Sequence, residues 1–410
     1  MDTTPFPFSS ARWLPAGRGR GWILGLLGTG SLLAAFPPLS IWPLALVGPW
    51  LLILLAVEAP TARAAWGRLV LAGVAYSSLG SLWMAETSFW NLVPVVVIES
   101  FWIGLLGVAC KRCSVSQNVW PTMPILWVAH ELCRNSFPDT GYPYQFVGLA
   151  LAASPVLVQV ADIGGVFAVT FLGLSLLPSV QGGLSLFQQG TPFRRSELFA
   201  AVASVAALGY GVVRPETLGT PEPGPVVAGI QPAFPQELKE AGASRMERFQ
   251  ACLDLSVEAV TTGETPDLLV WPETMWPWPI GEGQGAWFGG GFGESEGLRL
   301  EKDTVQRVIV DLTEALGGSD AVPHLLLGTF YYRGQGDGQP PERRNSAMLF
   351  DPSGIRLARY DKHILVPGGE AIPFGGILPE GLRKAYEKAS VGIAGFVATL
   401  TPGDGVRLME

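Results

Sequence analysis

Long apolar stretches fill the first half of this chain, and this pattern constrains its fold more than any other feature. The stretches approach the length needed to cross a hydrocarbon core of about 30 Å. They lack the polar stripe that a helix in a soluble bundle shows at its 3.6-residue period. We therefore expect seven transmembrane helices: Gly21–Phe36, Ile41–Val57, Leu69–Met84, Phe89–Cys110, Val119–Leu132, Val156–Val180 and Leu198–Val213.

Positive charge in this half predicts its orientation, because cytoplasmic loops are enriched in Lys and Arg. With the N-terminus inside, the outer loops carry only Arg134. Seven crossings then leave the second half on the extracytoplasmic side. The predicted inner segments carry Arg12, Arg18, Arg20, Arg63, Arg68, Lys111, Arg112, Arg194 and Arg195.

The second half differs in charge and in texture. Residues 1–214 carry 11 Lys and Arg against 8 Asp and Glu, whereas the remainder carries 16 against 27. An acidic half without basic clusters argues against a nucleic-acid partner. We expect a membrane domain over residues 1–214, a Pro-rich linker over 215–225 and an extracytoplasmic domain over 226–410.

Short strands alternate with polar helices in residues 226–410, which predicts an α/β domain with helices on the faces of its sheet. The predicted helices are Gln236–Thr261 and Leu300–Leu316. The predicted strands are Val226–Gln231, Asp267–Trp271, His324–Tyr332, Ser346–Phe350 and Ile355–Tyr360.

Two charged residues follow strands of this domain, where chemistry tends to gather in α/β sheets. Glu273 follows the apolar strand that ends at Trp271, and Lys362 follows the strand that ends at Tyr360. Two neighbouring strand ends would bring this carboxylate and this ammonium together as a catalytic pair. A plain ion pair, or two solvated charges, is the alternative interpretation.

Ionisable residues at membrane depth are costly and often functional. Besides His130, the predicted spans or their ends hold Glu99, Glu131, Arg134 and Asp162. We expect an interhelical clamp, formed by Glu131 with Arg134, rather than an ion pathway.

Two further patterns are weak. Cys110 and Cys113 have the spacing of half a zinc site, but the other half is absent, so no metal is expected. The Gly-rich run Gly281–Gly297 lacks the Lys-Ser/Thr of a phosphate loop and is expected to be a mobile loop.

Several motifs together resemble a known family. Asp267–Thr274 resembles the glutamate motif of the nitrilase superfamily, and Arg344–Ala347 with Asp351–Gly354 and Tyr360–Lys362 resembles its lysine motif. Leu365–Glu370 is similar to the segment after the lysine in apolipoprotein N-acyltransferases of Gram-negative bacteria. The membrane half follows the same family's pattern in order, at Trp127, Glu131, Arg134, Gly141–Tyr144, Gln159 and Gly164–Gly165.

This resemblance implies a multi-span helical membrane domain followed by an incomplete nitrilase-like αββα sandwich, located in the cell inner membrane with the second domain in the periplasm. The implied activity transfers an acyl chain from a phospholipid to the N-terminal amine of a diacylglyceryl-Cys lipoprotein, without metal or other cofactor. Glu273 would be the general base, Lys362 would stabilise the oxyanion, and Glu370 would support them.

The resemblance also implies substrate-binding residues, because both substrates are anchored in lipid. Trp271 and Tyr142 belong to this set. Trp276, Trp278 and Trp287, among glycines that follow the base, are predicted to form a lid over the acyl chains.

One departure from the family concerns the nucleophile, which is a Cys some tens of residues after the lysine. No Cys follows Lys362, and Cys252 precedes the glutamate. Val406–Met409 resembles the strand before the nucleophile strand. We therefore expect a truncated piece of such an enzyme, inactive by itself, with a natural pseudoenzyme as the alternative.

Two other functions remain open at this point. One is a membrane amidase or nitrilase that acts on a soluble substrate through the same Glu and Lys. The other is a transporter or sensor whose outer domain only binds a ligand; Glu99 and Asp162 favour it, but it predicts internal repeats that the sequence does not show.

Overall fold

A computed structural model gives the fold of the chain as two compact units, Met1–Pro221 and Glu222–Glu410. The structure describes residues 18–86, 89–114, 119–136, 141–189, 192, 195–220, 222–234, 245–278, 280–282, 294–318, 321–335, 341–372, 374–394, 399–406 and 408–409.

The first unit is helical throughout. Its described residues form eight α-helices and three short 3₁₀ segments, Trp42–Leu46, Leu82–Glu86 and Val158–Val160. The α-helices are α1 (Arg18–Ala35), α2 (Gly48–Val57), α3 (Ala62–Gly80), α4 (Phe89–Cys113), α5 (Val119–Ser136), α6 (Val147–Leu151), α7 (Ala161–Gln189) and α8 (Arg195–Thr217).

Helix α2 lies at the centre of this unit. Its residues from Gly48 to Ala56 are all buried, so it is apolar on every side, as a helix enclosed by other helices must be. The Trp50 indole nitrogen donates to the Leu174 carbonyl of α7 at 3.1 Å. The next helix begins at a side-chain cap, because Thr61 accepts a hydrogen bond from the Ala64 amide at 3.1 Å.

Every predicted apolar stretch coincides with helix, but the helices differ in their capacity to span a bilayer. Leu92–Cys113, Val158–Leu184 and Glu197–Thr217 are long and apolar enough, and Trp42–Val57 is a shorter apolar stretch. Helix α2 has 10 residues and is about 15 Å long. The structure therefore supports a helical unit with three candidate membrane spans among the described residues. This is a less detailed result than the seven crossings predicted from the sequence.

The second unit contains a mixed six-stranded sheet. The strands are β1 (Val227–Gly229), β2 (Leu268–Trp271), β3 (Ile280–Glu282), β4 (His324–Arg333), β5 (Glu342–Phe350) and β6 (Arg356–Asp361). Strands β1, β2 and β4 lie side by side in that order and run parallel. Strands β5 and β6 follow, each antiparallel to the strand before it, and β3 pairs in parallel with the C-terminal end of β4.

One face of this sheet carries the core of the second unit. Leu325 and Leu327 pair across β4 and β5 with Phe350 and Met348, so these side chains share one face. That face packs against helices α9 (Arg245–Thr261) and α10 (Glu294–Ala315). Strand alternation places Asn345 of β5 on the opposite face.

The second unit differs from the sequence-based prediction in three places. Strand β3 and the first residues of α10 overlap the two ends of the predicted Gly-rich loop, whose residues 283–293 are outside the described residues. A helix, α11 (Glu380–Ala394), was not predicted. Val406–Met409 was predicted as a strand, but its described residues, 406, 408 and 409, belong to none.

Candidate active site

Glu273 and Lys362 meet in the structure, but they do not leave neighbouring strands. Strands β4 and β5 lie between β2, which precedes Glu273, and β6, which precedes Lys362. The prediction of neighbouring strand ends is therefore wrong, and the two side chains meet because the turn after β2 lies against Gly328 of β4.

Gly328 of β4 makes this close approach possible. A Cβ atom at Gly328 would collide with the Pro272 carbonyl and the Glu273 Cα atom, so only glycine lets the turn lie this close to β4. The turn is fixed by the Trp276 amide, which donates to the Gly328 carbonyl at 3.0 Å, and by Thr274, whose φ is +59°. As a result, Glu273 is carried over β4 towards β5.

Lys362 continues the edge strand by one residue. Its amide donates to the Asn345 carbonyl at 2.8 Å, which extends the β5–β6 register beyond Asp361. Lys362 and Asn345 are thus opposite one another and present their side chains on the same face of the sheet.

Glu370 is brought back to this place by a tight turn. Its backbone amide donates to the Val366 carbonyl, and the Val366 amide donates to the Glu370 carboxylate, both at 2.8 Å. Gly368 within the turn has a φ of +80°, a left-handed conformation that glycine adopts readily.

The four side chains form one hydrogen-bonded cluster. The Lys362 Nζ atom lies 2.9 Å from Glu370 Oε2 and 3.6 Å from Glu273 Oε2. The Asn345 Nδ2 atom donates to Glu273 Oε1 at 2.6 Å and to Glu370 Oε1 at 2.7 Å. We call Glu273, Asn345, Lys362 and Glu370 the sheet-edge cluster.

Charge pairing within this cluster shifts two pKa values. Burial lowers the pKa of Lys362, but hydrogen bonding to Glu370 and the charges of both glutamates outweigh it, so the net shift is upward. Burial raises the pKa of Glu370, but hydrogen bonds from Lys362, Val366 and Asn345 outweigh it, so the net shift is downward. Both groups are therefore charged at neutral pH.

The two carboxylates of the cluster have different surroundings. Glu370 accepts hydrogen bonds from Lys362, Asn345 and the Val366 amide, and its side chain is only 12% exposed. The Glu273 side chain is 59% exposed and makes its contacts through Asn345 and Lys362. Glu370 is thus a fixed counter-ion, whereas Glu273 can reach an incoming proton donor.

Asn345 is the member of the cluster that sequence reasoning missed as a site residue, although it lies inside the lysine motif. Its side chain is buried, and a buried amide needs partners for its N–H groups. The signal available in the sequence was its place in the motif Arg344–Ala347, directly before the predicted strand Ser346–Phe350.

The predicted aromatic lid has a different arrangement. Trp271 and Trp276 are buried in the core of the second unit, and Trp278 packs against that core. The Phe249 ring lies 5.9 Å from each of the first two and 4.9 Å from Trp278. These rings thus form a structural cluster rather than free interfacial anchors, and Trp287 is outside the described residues. Substrate contact by these tryptophans stays a prediction.

Tyr142 lies in the first unit and is also buried. Its hydroxyl shares a hydrogen bond of 2.8 Å with Ser81 Oγ, and its ring lies 4.9 Å from that of Tyr144. Its predicted role in substrate binding stays a prediction.

The predicted clamp between Glu131 and Arg134 is wrong in its partners. Arg134 pairs with Glu99 of α4, and Glu131 instead accepts hydrogen bonds from neutral donors. Glu131 and Arg134 are three positions apart and share a face of α5, but Arg134 pairs with Glu99 of the neighbouring helix α4 instead.

None of the described residues forms a metal-binding group of three or more His, Cys, Asp or Glu side chains. All four cysteines are free, and Cys252 of the second unit is buried in α9. The sheet-edge cluster is thus an acid–base arrangement: an accessible carboxylate beside an ammonium held by a second carboxylate.

Comparisons with known proteins relate the chain to a described family. Residues 28–176 match the family described as apolipoprotein N-acyltransferase N-terminal domain. The chain is 30% identical to the apolipoprotein N-acyltransferase of Geobacter metallireducens over 297 residues, 69% of this chain and 50% of that protein.

Two further relatives carry the same name. The protein of Agrobacterium fabrum is 29% identical over 252 residues, covering 60% of this chain and 41% of the relative. That of Sinorhizobium fredii is 27% identical over 319 residues, covering 73% and 54%. The chain therefore spans about half the length of the curated relatives it matches. These matches identify it as a relative of the apolipoprotein N-acyltransferases, whose N-terminal domain it carries over residues 28–176.

Proposed function

We propose that this chain belongs to a membrane enzyme that moves an acyl chain from a phospholipid to the N-terminal amine of a diacylglyceryl-Cys lipoprotein. The observation that carries the proposal is the position of Lys362 Nζ, 2.9 Å from Glu370 and 3.6 Å from the exposed Glu273. This arrangement pairs an accessible base with a fixed positive charge, which acyl transfer needs.

In the first half-reaction, Glu273 accepts the proton of a Cys thiol, and the thiolate attacks the ester carbonyl of the phospholipid. Lys362 stabilises the negative charge that develops on the carbonyl oxygen. The ester C–O bond then breaks, a thioester forms, and the leaving alkoxide takes the proton from Glu273.

In the second half-reaction, the lipoprotein amine attacks the thioester while Glu273 accepts its proton. An amide forms, and the Cys sulfur regains its proton as the C–S bond breaks. Glu370 keeps Lys362 charged throughout. The nucleophilic thiol is part of the proposal and not a member of the sheet-edge cluster. No Cys follows Lys362 in these 410 residues, and Cys252 is buried in α9.

The proposal includes a location and partners. The apolar helices of the first unit favour a membrane protein. We propose the inner membrane, seven crossings with a cytoplasmic N-terminus, and a periplasmic second unit, on the basis of the positive-charge distribution. The partners are a phospholipid acyl donor and a diacylglyceryl-modified lipoprotein acceptor.

The test uses the complete gene product in phospholipid vesicles, with a synthetic diacylglyceryl-Cys peptide as acceptor and a phospholipid labelled in its acyl chain. We expect label in the peptide, and a loss of about 10²- to 10⁴-fold in kcat/KM for Glu273→Gln and for Lys362→Met. The matched control is Lys384→Met, because Lys384 forms an exposed pair of 2.6 Å with Glu380 in α11.

Each alternative predicts a different result. A membrane amidase releases ammonia from a soluble amide and leaves the peptide unlabelled. A transporter or sensor labels no peptide and releases no ammonia. Unchanged acyl transfer in both the Glu273→Gln and Lys362→Met variants would overturn the proposed roles.

A further inference from the structure

The segment Tyr142–Val147, between α5 and α6, is held by polar groups from helices that lie far apart in the sequence. It contains no regular secondary structure before α6, so its backbone groups need other partners. The Tyr76 hydroxyl of α3 donates to the Gln145 carbonyl at 3.3 Å. Gln145 has a φ of +59°, an uncommon conformation for a residue with a Cβ atom.

Arg134 of α5 makes the central contacts with this segment. Its Nη2 atom donates to the Tyr144 carbonyl at 2.6 Å, and its guanidinium lies 4.7 Å from the centre of the Phe146 ring. Its Nη1 atom pairs with Glu99 of α4, and both side chains are 3% exposed. Glu99 thus balances the charge of the arginine that holds the segment.

Glu131 of α5 holds the other end. One carboxylate oxygen accepts from the Val147 amide at 2.8 Å and from the Trp127 indole at 3.1 Å. The other accepts from the Thr170 hydroxyl of α7 at 2.9 Å. The Val147 amide belongs to the first turn of α6, where backbone N–H groups lack helical partners.

Close packing alone does not fix this segment. Its inner side faces a cavity of about 20 Å³, which is lined by Gln145 and Val147 together with Glu131 and Arg134. A void next to a backbone removes dispersion contacts on that side. The hydrogen bonds of Glu131 and Arg134 therefore add to the restraint that Tyr76 and Ser81 provide.

The outer side of the segment carries aromatic rings. Tyr144 is half-exposed, and its ring lies 5.7 Å from that of the half-exposed Trp83 and 4.9 Å from that of Tyr142. Charges in an apolar helical bundle are costly, and the Glu99–Arg134 pair is placed where it holds the backbone of this segment.

We infer that Glu99 and Arg134 are positioning residues, which hold the Tyr142–Val147 segment and its aromatic rings in one conformation for the substrate. The substrate part of this inference rests on the proposed function, whereas the positioning part does not. The pair acts through the backbone carbonyl of Tyr144.

The test is hydrogen exchange of backbone amides, measured by mass spectrometry on the complete protein in detergent, with the double variant Glu99→Gln/Arg134→Met. This variant roughly keeps the side-chain volumes and removes both charges of the Glu99–Arg134 pair together. We expect exchange in residues 142–147 to become at least 10-fold faster, while α2 stays protected. The matched control is Asp162→Asn, because Asp162 pairs with Arg214 at 3.0 Å elsewhere in the same unit.

A second readout separates this inference from the proposed function. Faster exchange together with a raised KM for the lipopeptide and an unchanged kcat supports both the positioning by Glu99 and Arg134 and the role of the segment in substrate binding. Faster exchange with an unchanged KM supports the positioning and removes the role of the segment in substrate binding. Unchanged exchange in residues 142–147 overturns the inference. If the double variant does not fold, Arg134→Lys is judged by the same exchange criterion, because lysine keeps the charge but lacks the planar two-nitrogen fork with which Arg134 contacts Glu99 and Tyr144.

Discussion

The two units each contain a lysine or arginine paired with carboxylates, but the surroundings of the pairs are opposite. In the first unit, Arg134 and Glu99 are enclosed by helices, with 3% of each side chain exposed. In the second, Lys362 is 28% exposed and Glu273 is 59% exposed. Enclosed charges have fixed partners and restrain the backbone, whereas charges open on one side can exchange protons with a substrate.

This difference is informative because sequence motifs do not reveal it. Glu131 and Glu273 both belong to segments that resemble the same family, yet Glu131 accepts hydrogen bonds from three neutral donors inside the bundle. A carboxylate saturated in this way is a structural group. Substitutions in the enclosed pair should therefore change stability most, and substitutions in the sheet-edge cluster should change activity most.

The largest expected effect on stability comes from Arg134→Met. Removing one partner of a buried pair leaves Glu99 without its counter-charge, which costs about 3–5 kcal/mol. We expect a marked fall in the thermal midpoint of the protein in detergent, with much of it recovered in the double variant Glu99→Gln/Arg134→Met. Equal midpoints of Arg134→Met and the unsubstituted protein would contradict the expectation that the enclosed Glu99–Arg134 pair contributes more to stability than the sheet-edge cluster does.

A smaller effect on stability, with a clear effect on activity, is expected for Asn345→Ala. The amide donates to two carboxylates, but Glu273 is exposed and can accept from water instead, so we expect a total loss of about 1.5–3 kcal/mol. We also expect kcat/KM to fall by about 10²-fold, because Glu273 loses the contact that orients it.

The matched control for this variant is Gln335→Ala. The Gln335 amide donates to the Glu342 carboxylate at 3.2 Å but is exposed, so its loss should change neither quantity measurably. Equal behaviour of the two variants would show that Asn345 does not orient the base.

Gly328→Ala tests whether the crossing of β4 positions Glu273. The new methyl group would collide with the Pro272 carbonyl, and overpacking of this kind costs about 1–3 kcal/mol. We expect a lower unfolding midpoint together with reduced acyl transfer. Gly229→Ala in β1 is the control, because a Cβ atom there meets nothing within 4 Å.

The smallest expected effect is a change in the pH dependence of stability. The pKa of Glu370 is lowered in the folded state, so its contribution is present above its ordinary value of 4.5 and is lost as pH falls through the lowered value. The pKa of Lys362 is raised, so its contribution is lost only as pH rises above 10.5. Glu370→Gln should flatten the acid side of the urea-midpoint profile; an unaltered acid side would contradict the pairing.

Sequence periodicity located most elements of both units, because it depends on local spacing alone. Strands β2, β4, β5 and β6 and all α-helices of the first unit except α6 overlap their predicted positions, whereas α6 was not predicted. Strand β3 was missed because its three residues lie next to a Gly-rich run, and a strand that short has no usable period.

The sequence predicted the charged members of the site but not how they come together. Glu273 and Lys362 were found from their positions after strands and from motif resemblance. That β4 and β5 separate their strands depends on long-range strand order, and that Glu273 crosses β4 depends on the missing side chain of Gly328. The partner of Arg134 was mistaken for a similar reason, because Glu99 is 35 residues away along the chain.

The shared amide of Asn345 has a geometric consequence for catalysis. An amide nitrogen carries two hydrogens, and here each is directed to a different carboxylate. Glu273 is therefore tethered through Oε1 and faces Lys362 through Oε2, which leaves the lone pairs on its solvent side open. In the proposed reaction, a thiol that gives its proton to Glu273 would therefore approach from that open side.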